Sequence, residues 1–183
     1  MILVIVTSLN SLHVAITFKG KEMIYHAQGD LLTSDCNFIG HQSNCLGAFG
    51  GGIAGQIRKV HPEMYKVFRE DTRLAEDKLG SFTIAEISLG FGFNLYGQYT
   101  FGGRGLHGRD TNYGALTIAL DKMLKLVPQV AMSHGISPDD IKVGLPWLLG
   151  SGLAGGDWDI VHEIIEFSAD NNKIDIHLYE YTP

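Results

Sequence analysis

Residues 38–60 read FIGHQSNCLGAFGGGIAGQIRKV, a short apolar run followed by a glycine-rich loop and a helical pattern. Ile53, Ile57 and Val60 recur at the i, i+4, i+7 spacing of one helix face. Three consecutive glycines before a helix let the backbone take positive φ and point several N–H groups at one place. Because a helix start also carries partial positive charge, this first glycine loop (residues 44–52) predicts an anion-binding turn. A tight turn with close helix–strand packing is the alternative.

The same stretch also satisfies the dinucleotide-binding pattern GxGxxG, from Gly50 to Gly55. That pattern follows its strand at once and has an acidic residue ~20 positions on, at the end of the next strand. Here eight residues separate His41 from Gly50. Glu70 and Asp71 stand at about the required distance, but in a helical stretch. No Walker-type lysine follows the glycines, so a Rossmann site is the weaker interpretation.

A second glycine loop, residues 150–156, reads GSGLAGG and is followed by Asp157 and Trp158. Like the first, it comes after a predicted strand and before a predicted helix. Open α/β sheets bind ligands at the carboxyl ends of their strands, so both loops are expected to meet in one crevice, as a diphosphate requires. Asp157 has a structural interpretation as the N-cap of the following helix, and Trp158 as a core anchor.

Strands and helices alternate along the rest of the chain. Short apolar runs at residues 23–27, 81–89, 91–96, 141–146 and 174–179 predict strands. Apolar stripes with helical spacing cover residues 62–68, 111–127 and 158–165. This alternation predicts an α/β domain with a mostly parallel sheet. Residues 1–22 predict an additional N-terminal strand pair with a turn at residues 8–11.

Length and composition exclude several classes of protein. The chain has 183 residues, which predicts a single domain over residues 1–183. Its formal charge of −6 gives no general electrostatic attraction for nucleic acid. A local basic patch would be needed for such binding. Cys36 and Cys45 are too few for a disulfide scaffold or a zinc ribbon, and we find no metal-binding motif. The N-terminus has neither a basic signal region nor a spanning length, so a cytoplasmic protein without a membrane partner, monomeric by default, is expected.

Three short motifs, taken in order, resemble the macrodomain family, which binds ADP-ribose. They are GDL at residues 29–31, Asn44 with GGGIA at residues 50–54, and GSGLAG at residues 150–155. Within that family, the longer stretches SNCLGAFGGGIAGQI, LYGQYTFGG and LPWLLGSGLAGGDW are most similar to the ADP-ribose-1″-phosphate phosphatase branch, which includes phage proteins. The resemblance implies a three-layer α/β/α sandwich around a mixed six-stranded sheet, with ADP-ribose in a cleft.

The resemblance also implies a role for each matched residue. Asp30 would bind the adenine amino group, the Leu31 N–H a ring nitrogen, and Asn44 the distal ribose. Tyr179 would lie under the adenine, or else be an ordinary strand aromatic. The two glycine loops would surround the diphosphate. The expected substrate-binding residues are Asp30, Leu31, Asn44, Gly50, Gly51, Gly52, Ile53, Ala54, Ser151, Gly152, Leu153, Ala154 and Tyr179.

Hydrolysis of a sugar phosphate needs a positioned water and usually a group that moves protons near neutral pH. The catalytic candidates are His41, His107 and Asp157, each with a plain structural role as the alternative. Gln98, Arg104 and Asn112 are secondary candidates for substrate contacts. A second branch of the family removes ADP-ribose from glutamate. It uses a lysine near position 98 and an aspartate at position 154, and this sequence has neither.

The expected activity is therefore hydrolysis of ADP-ribose 1″-phosphate to ADP-ribose and phosphate, with an ADP-ribose derivative as the small-molecule partner and no cofactor. The alternatives are a non-catalytic reader of ADP-ribose and an ADP-ribosyl hydrolase acting on modified protein or nucleic acid.

Overall fold

A computed structural model describes residues 23–181 of the chain. Within them, the six β-strands are β1 (Ile24–Gln28), β2 (Phe38–Asn44), β3 (Phe82–Ile87), β4 (Gly90–Gln98), β5 (Val143–Pro146) and β6 (Ile176–Glu180). The five α-helices of this part are α1 (Gly52–Val60), α2 (Pro62–Glu70), α3 (Ala75–Lys78), α4 (Tyr113–Ser133) and α5 (Trp158–Asn172). The strand pair predicted for residues 1–22 lies outside the described residues.

All of these strands join one sheet in the order β1-β6-β5-β2-β4-β3. Neighbouring strands are parallel except β3, which is antiparallel to β4. The carboxyl ends of the parallel strands therefore share one edge of the sheet. At its centre lie β2 and β5, the strands that precede the two glycine loops. The predicted mixed six-stranded sheet is confirmed.

Helices cover both faces of the sheet, because β2 and β4 bury side chains on both sides. On β2, Phe38 packs into the core formed with α4 and α5, whereas the next residue, Ile39, packs into the core formed with α1 and α2. Leu116 of α4 and Ile57 of α1 are buried in these two cores, one on each face. The three-layer α/β/α arrangement is thus confirmed.

Some element boundaries differ from the predicted ones. Strand β4 begins at Gly90, which has a φ of +138° and where a Cβ would collide with the carbonyl oxygen of Asn37. Helix α4 begins at Tyr113 instead of Thr111, because Asn112 caps it by accepting a hydrogen bond from the Ala115 N–H. Among residues 23–181, no helix has both the length and the apolar character needed to cross a membrane.

Candidate functional site

A cleft of about 510 Å³ opens at the edge of the sheet where β2, β4 and β5 end. The first glycine loop lines one wall, and the second glycine loop lines the other. The two loops approach closely, since a Cβ placed on Gly51 would lie 3.0 Å from Cδ1 of Leu153. The predicted convergence of the loops on one crevice is confirmed.

The first turn of helix α1 forms part of the first wall, through Gly52, Ile53 and Ala54. Gly51 is the N-cap, with an extended backbone (φ −91°, ψ 147°), and no side chain caps the helix. The first N–H groups of any helix have no acceptor within it, and here no acidic side chain stands in the first turn. This wall therefore presents open N–H donors and the positive end of a helix, which together favour an anion.

The second wall is held in place by Thr111. Its hydroxyl donates to the carbonyl oxygen of Gly150 at 2.6 Å, and its N–H donates to that of Ala154 at 3.1 Å. In the part of the chain that the structure describes, the N–H groups of Gly152, Leu153 and Ala154 have no hydrogen-bond partner. The second wall thus also carries unpaired donors beside the cleft.

Amide side chains line the cleft between the two walls. Gln42 donates from Nε2 to Oε1 of Gln98 at 2.8 Å and to Oγ1 of Thr111 at 2.9 Å. Gln98 in turn donates from Nε2 to the carbonyl oxygen of Thr100 at 2.7 Å. Oε1 of Gln42 is buried and has no partner among the described residues. A Cβ placed on Gly97 or on Gly150 would lie 2.8 or 2.5 Å from this oxygen, so the two glycines make room for the Gln42 side chain.

Asn44 lines the cleft, but its side chain is already used within the first glycine loop. Oδ1 accepts hydrogen bonds from the N–H groups of Leu46 and Ala48, each at 3.1 Å. Nδ2 donates to the carbonyl oxygen of Ala48 at 2.6 Å. Asn44 therefore fixes the shape of the loop that leads to the glycines.

Asp110 organises the loop of residues 97–109, which adds Phe101 and Gly102 to the cleft. Its carboxylate accepts hydrogen bonds from the Thr100 hydroxyl at 2.5 Å and from the N–H groups of Gly103 and Gly105 at 2.7 and 2.8 Å. Burial opposes ionisation, but these hydrogen bonds prevail and lower the pKa of Asp110. Sequence reasoning missed this role, although a single carboxylate beside five glycines was a usable signal.

His41 lies in the core behind the cleft, with 1% of its surface exposed. Its Nε2 is 2.7 Å from Oδ1 of Asn94, and its ring packs edge-on against Phe49. Burial lowers the pKa of His41 to about 4, so the ring is neutral at physiological pH. This placement favours the structural alternative for His41 over a role as an acid or base in the cleft.

His107 and Asp157, the other two catalytic candidates, also lie outside the lining of the cleft. His107 is exposed on the 97–109 loop, in the left-handed conformation (φ 56°, ψ 32°). Asp157 is the N-cap of α5, where its Oδ1 accepts from the N–H of Asp159 at 3.0 Å. The predicted capping role of Asp157 is confirmed.

The residues expected to bind adenine lie at the ends of β1 and β6, beside the cleft. Asp30 caps a short 3-10 turn by accepting from the N–H of Leu32 at 2.9 Å, and Leu31 is buried beneath it. Tyr179 pairs across the sheet with Pro146, which does line the cleft. The Tyr179 hydroxyl donates to Oδ1 of Asp35 at 3.3 Å, and this bond orients the tyrosine ring.

The cleft thus contains many of the expected residues, but not all of them. Those that line it are Asn44, Gly50, Gly51, Gly52, Ile53, Ala54, Gly152, Leu153 and Ala154, together with Gln98 from the secondary set. Those outside its lining are Asp30, Leu31, His41, His107, Ser151, Asp157 and Tyr179. Lining residues that the sequence analysis did not single out are Gln42, Ser43, Ala48, Phe101, Gly102, Pro146, Trp147, Leu148, Leu149 and Gly150.

The segments that line the cleft carry no negatively charged side chain. Residues 36–62, 87–109 and 141–156, which supply the lining, contain no aspartate or glutamate. Among the described residues that line the cleft, no side chain is ionisable. Within residues 23–181, no group of three or more His, Cys, Asp or Glu could hold a metal ion. An anion in this cleft would therefore meet N–H groups and amides without nearby negative charge.

No protein-family model matches the sequence. An uncharacterized 17.5 kDa protein of Enterobacteria phage T4 is 27% identical over 168 residues, which are 88% of this chain and 98% of the phage protein. The DNA ADP-ribosyl glycohydrolase of Mycobacterium tuberculosis is 31% identical over 64 residues, which are 35% of this chain and 18% of that enzyme.

Solved structures are similar over most of the chain. The macrodomain of Mycobacterium tuberculosis DarG has a TM-score of 0.66 at 22% identity, covering 88% of this chain and 98% of that one. Thermosipho africanus DarTG in complex with ADP-ribose has a TM-score of 0.65 at 18% identity, covering 85% of this chain and 41% of that one.

Proposed function

We propose that this chain, which has the macrodomain fold, binds ADP-ribose in the cleft and hydrolyses a substituent from carbon 1″ of the distal ribose. One observation carries the proposal: the open first turn of α1 faces the unpaired N–H groups of the second glycine loop across a gap that Gly51 and Leu153 nearly close. Two such walls suit a diphosphate, which presents oxygen acceptors in both directions.

The absence of acidic residues from the segments that line the cleft supports the same ligand. A diphosphate carries two negative charges, and each carboxylate nearby would oppose it. The chain has a formal charge of −6, yet residues 36–62, 87–109 and 141–156 contribute no negative charge. The N–H groups can then hold the anion without an arginine or lysine in the cleft.

The order of the strands gives the ligand its direction. The residues proposed for adenine, Asp30, Leu31 and Tyr179, lie at the ends of β1 and β6, on one side of the glycine loops. Asn44 and Gln98 lie at the ends of β2 and β4, on the other side, and would face the distal ribose. The cleft lining at that end includes the amides of Gln42 and Gln98, which suit sugar hydroxyls and a bound water, together with Phe101 and Gly102.

The proposed reaction adds one water across the bond at carbon 1″ and releases ADP-ribose and the substituent. Since no ionisable side chain lines the cleft among the described residues, the chain would act by positioning water and stabilising developing charge with N–H groups. Two substituents are candidates. Phosphate is favoured by the sequence motifs of the phosphatase branch. A nucleic-acid attachment is favoured by the 31% identity with the mycobacterial glycohydrolase.

Calorimetry with ADP-ribose, and with AMP as a shorter ligand, tests the binding. We expect ADP-ribose to bind more tightly than AMP, because only ADP-ribose carries the full diphosphate and the distal ribose. Turnover is then measured on ADP-ribose 1″-phosphate, on ADP-ribosylated DNA and on ADP-ribosylated protein. Tight binding with no turnover on any of them would leave a reader of ADP-ribose, and no binding at all would refute the proposal.

The substitution Gly51→Val tests the diphosphate subsite directly. The backbone at Gly51 is extended, so valine fits it, but the side chain would fill the gap toward Leu153. We expect at least a roughly hundredfold loss of ADP-ribose affinity, since the N–H groups would no longer be reachable. Gly114→Val, on the exposed first turn of α4, is the matched control and should bind normally. Normal affinity in the Gly51 variant would exclude this wall as the phosphate site.

A further inference from the structure

The turn after β5 contains a residue in a strained backbone conformation. Leu149 donates its N–H to the carbonyl oxygen of Pro146 at 3.1 Å, which closes a four-residue turn. Leu148 is the third residue of this turn and has a φ of +60°. Glycine or asparagine is preferred at that position, since a positive φ brings the Cβ of other residues too close to the backbone. A leucine there therefore lowers the stability of the fold.

Core packing does not explain this leucine. The Leu148 side chain is 44% exposed and belongs to neither of the two hydrophobic cores, whereas its neighbour Leu149 is buried. His107 and Lys173 are the other non-glycine residues of the described chain with a positive φ, and both lie outside the cleft lining. Lys173 ends α5, where this conformation is ordinary. Of these three residues, Leu148 alone lines the cleft.

The order of the strands places this turn between two parts of the proposed ligand site. Strand β5 lies between β6, which carries the adenine candidate Tyr179, and β2, which leads to the first glycine loop. The turn is tied to β6, because the Trp147 N–H donates to the carbonyl oxygen of Tyr179 at 2.8 Å. In ADP-ribose, the ribose of the adenosine half joins the adenine to the diphosphate. That ribose would therefore cross the cleft beside Leu148.

We infer that Leu148 is a ligand-binding residue, held at a positive φ so that its side chain contacts the ribose of the adenosine half. The inference rests on the proposed function, because it assigns a new contact to the same ligand. A ribose ring presents C–H groups as well as hydroxyls, and a leucine side chain binds C–H groups by dispersion and by excluding water.

The surrounding backbone is able to hold the strained residue in place. The Leu149 N–H bonds to Pro146, and the Ser151 N–H donates to the carbonyl oxygen of Leu148 itself at 2.9 Å. Backbone strain persists at ligand sites when the neighbouring structure fixes it in this way. If Leu148 served the turn alone, glycine would replace it without any loss of binding, and this difference makes the inference testable.

The variant Leu148→Gly should move stability and affinity in opposite directions. Thermal unfolding without ligand should show Tm higher by roughly 2–4 °C, because glycine accepts the positive φ. Calorimetry should show roughly tenfold weaker binding of both ADP-ribose and ADP, because the apolar contact is lost. The two nucleotides should lose affinity by the same factor, since both carry the adenosine ribose and only ADP-ribose carries the distal one.

Lys173→Gly is the matched control, since it relieves the same backbone conformation at the end of α5, outside the cleft lining. It should raise Tm similarly and leave both affinities unchanged. Leu148→Met keeps an apolar side chain of similar volume and should bind both nucleotides within about threefold of the unmodified protein.

Three results with Leu148→Gly would overturn the inference while the unmodified protein binds normally. They are unchanged affinity, a loss confined to ADP-ribose, which would place the contact at the distal ribose, and a fall in Tm together with affinity, which would make the role of Leu148 structural. If the unmodified protein bound neither ADP-ribose nor ADP, the proposed function itself would fail and take the inference with it. The two failures are therefore distinguishable.

Discussion

Thr111 shows how one residue can shape a site without facing the ligand. It is 2% exposed, yet it joins three segments: it accepts from Gln42 on β2, donates to Gly150 in the second glycine loop, and bridges to Gln98 at the end of β4. From the sequence, Thr111 was predicted only to begin a helix. Its role came from long-range contacts, which no local pattern reports.

The substitution Thr111→Val should loosen the second wall. Valine has nearly the same shape but cannot donate to the Gly150 carbonyl or accept from Gln42, so both would lose a buried partner. We expect the free energy of unfolding to fall by roughly 1–3 kcal/mol, and ADP-ribose affinity to fall as well. Urea unfolding and calorimetry measure the two effects. Thr111→Ser keeps the hydroxyl and should retain most of the affinity. Unchanged stability and binding in the valine variant would argue against the clamp.

Among the helices and strands, α4 follows its predicted apolar stripe most closely, but it also contains an internal proline. The stripe of Leu116, Leu120, Met123, Leu124 and Val127 is fully buried, as its spacing predicts. Helix α4 nevertheless runs through Pro128 to Ser133. Packing of the long apolar face against the sheet and α5 outweighs the cost of a proline inside a helix.

Replacing Pro128 should therefore stabilise the protein. Pro128 has no N–H, so the carbonyl group of Leu124 lacks its normal helical partner, and the proline side chain is exposed. We expect Pro128→Ala to raise the free energy of unfolding by roughly 1–3 kcal/mol, since an interior proline costs about 3 kcal/mol relative to alanine. Urea unfolding provides the measurement, and Gln129→Ala, one residue on, should have little effect. A destabilised alanine variant would mean that the proline shape is itself needed for packing.

For the whole molecule, acid stability depends on carboxylates that tie elements together. Asp71, just after α2, accepts hydrogen bonds from Arg73 at 2.7 and 2.9 Å and from the Tyr96 hydroxyl on β4 at 2.9 Å. Burial alone would raise the pKa of Asp71, but these bonds lower it to about 2. These bonds favour the ionised carboxylate, which links the end of α2 to the sheet through Tyr96.

Stability should accordingly fall as the pH drops. Because the pKa of Asp71 is about 2 in the folded chain against 3.8 ordinarily, its contribution is complete above about pH 4 and is lost between about pH 4 and pH 2. We expect this one group to account for about 2 kcal/mol. Urea unfolding as a function of pH tests it. Asp71→Asn should be less stable at pH 7 and less sensitive to acid, and an unaltered acid profile in that variant would rule out Asp71 as the cause.

The distribution of charge is also a property of the whole molecule. The net charge of −6, summed over the whole sequence, argued against a nucleic-acid partner. The fold brings three acid-free segments together at one edge of the sheet and places Arg58 and Lys59 of α1 beside them. A sum over the sequence cannot show this separation, because it discards position.

Local patterns were enough to establish the α/β class, both glycine loops and the cap at Asp157. Hydrophobic periodicity, glycine clusters and capping residues act over a few neighbouring residues, so they can be recognised in the sequence alone. Only the tertiary structure showed that Thr111, Gln42 and Asp110 hold the cleft together, and that His41 is a neutral core residue. Those roles depend on burial and on hydrogen bonds between distant segments, which arise when the strands take their order in the sheet.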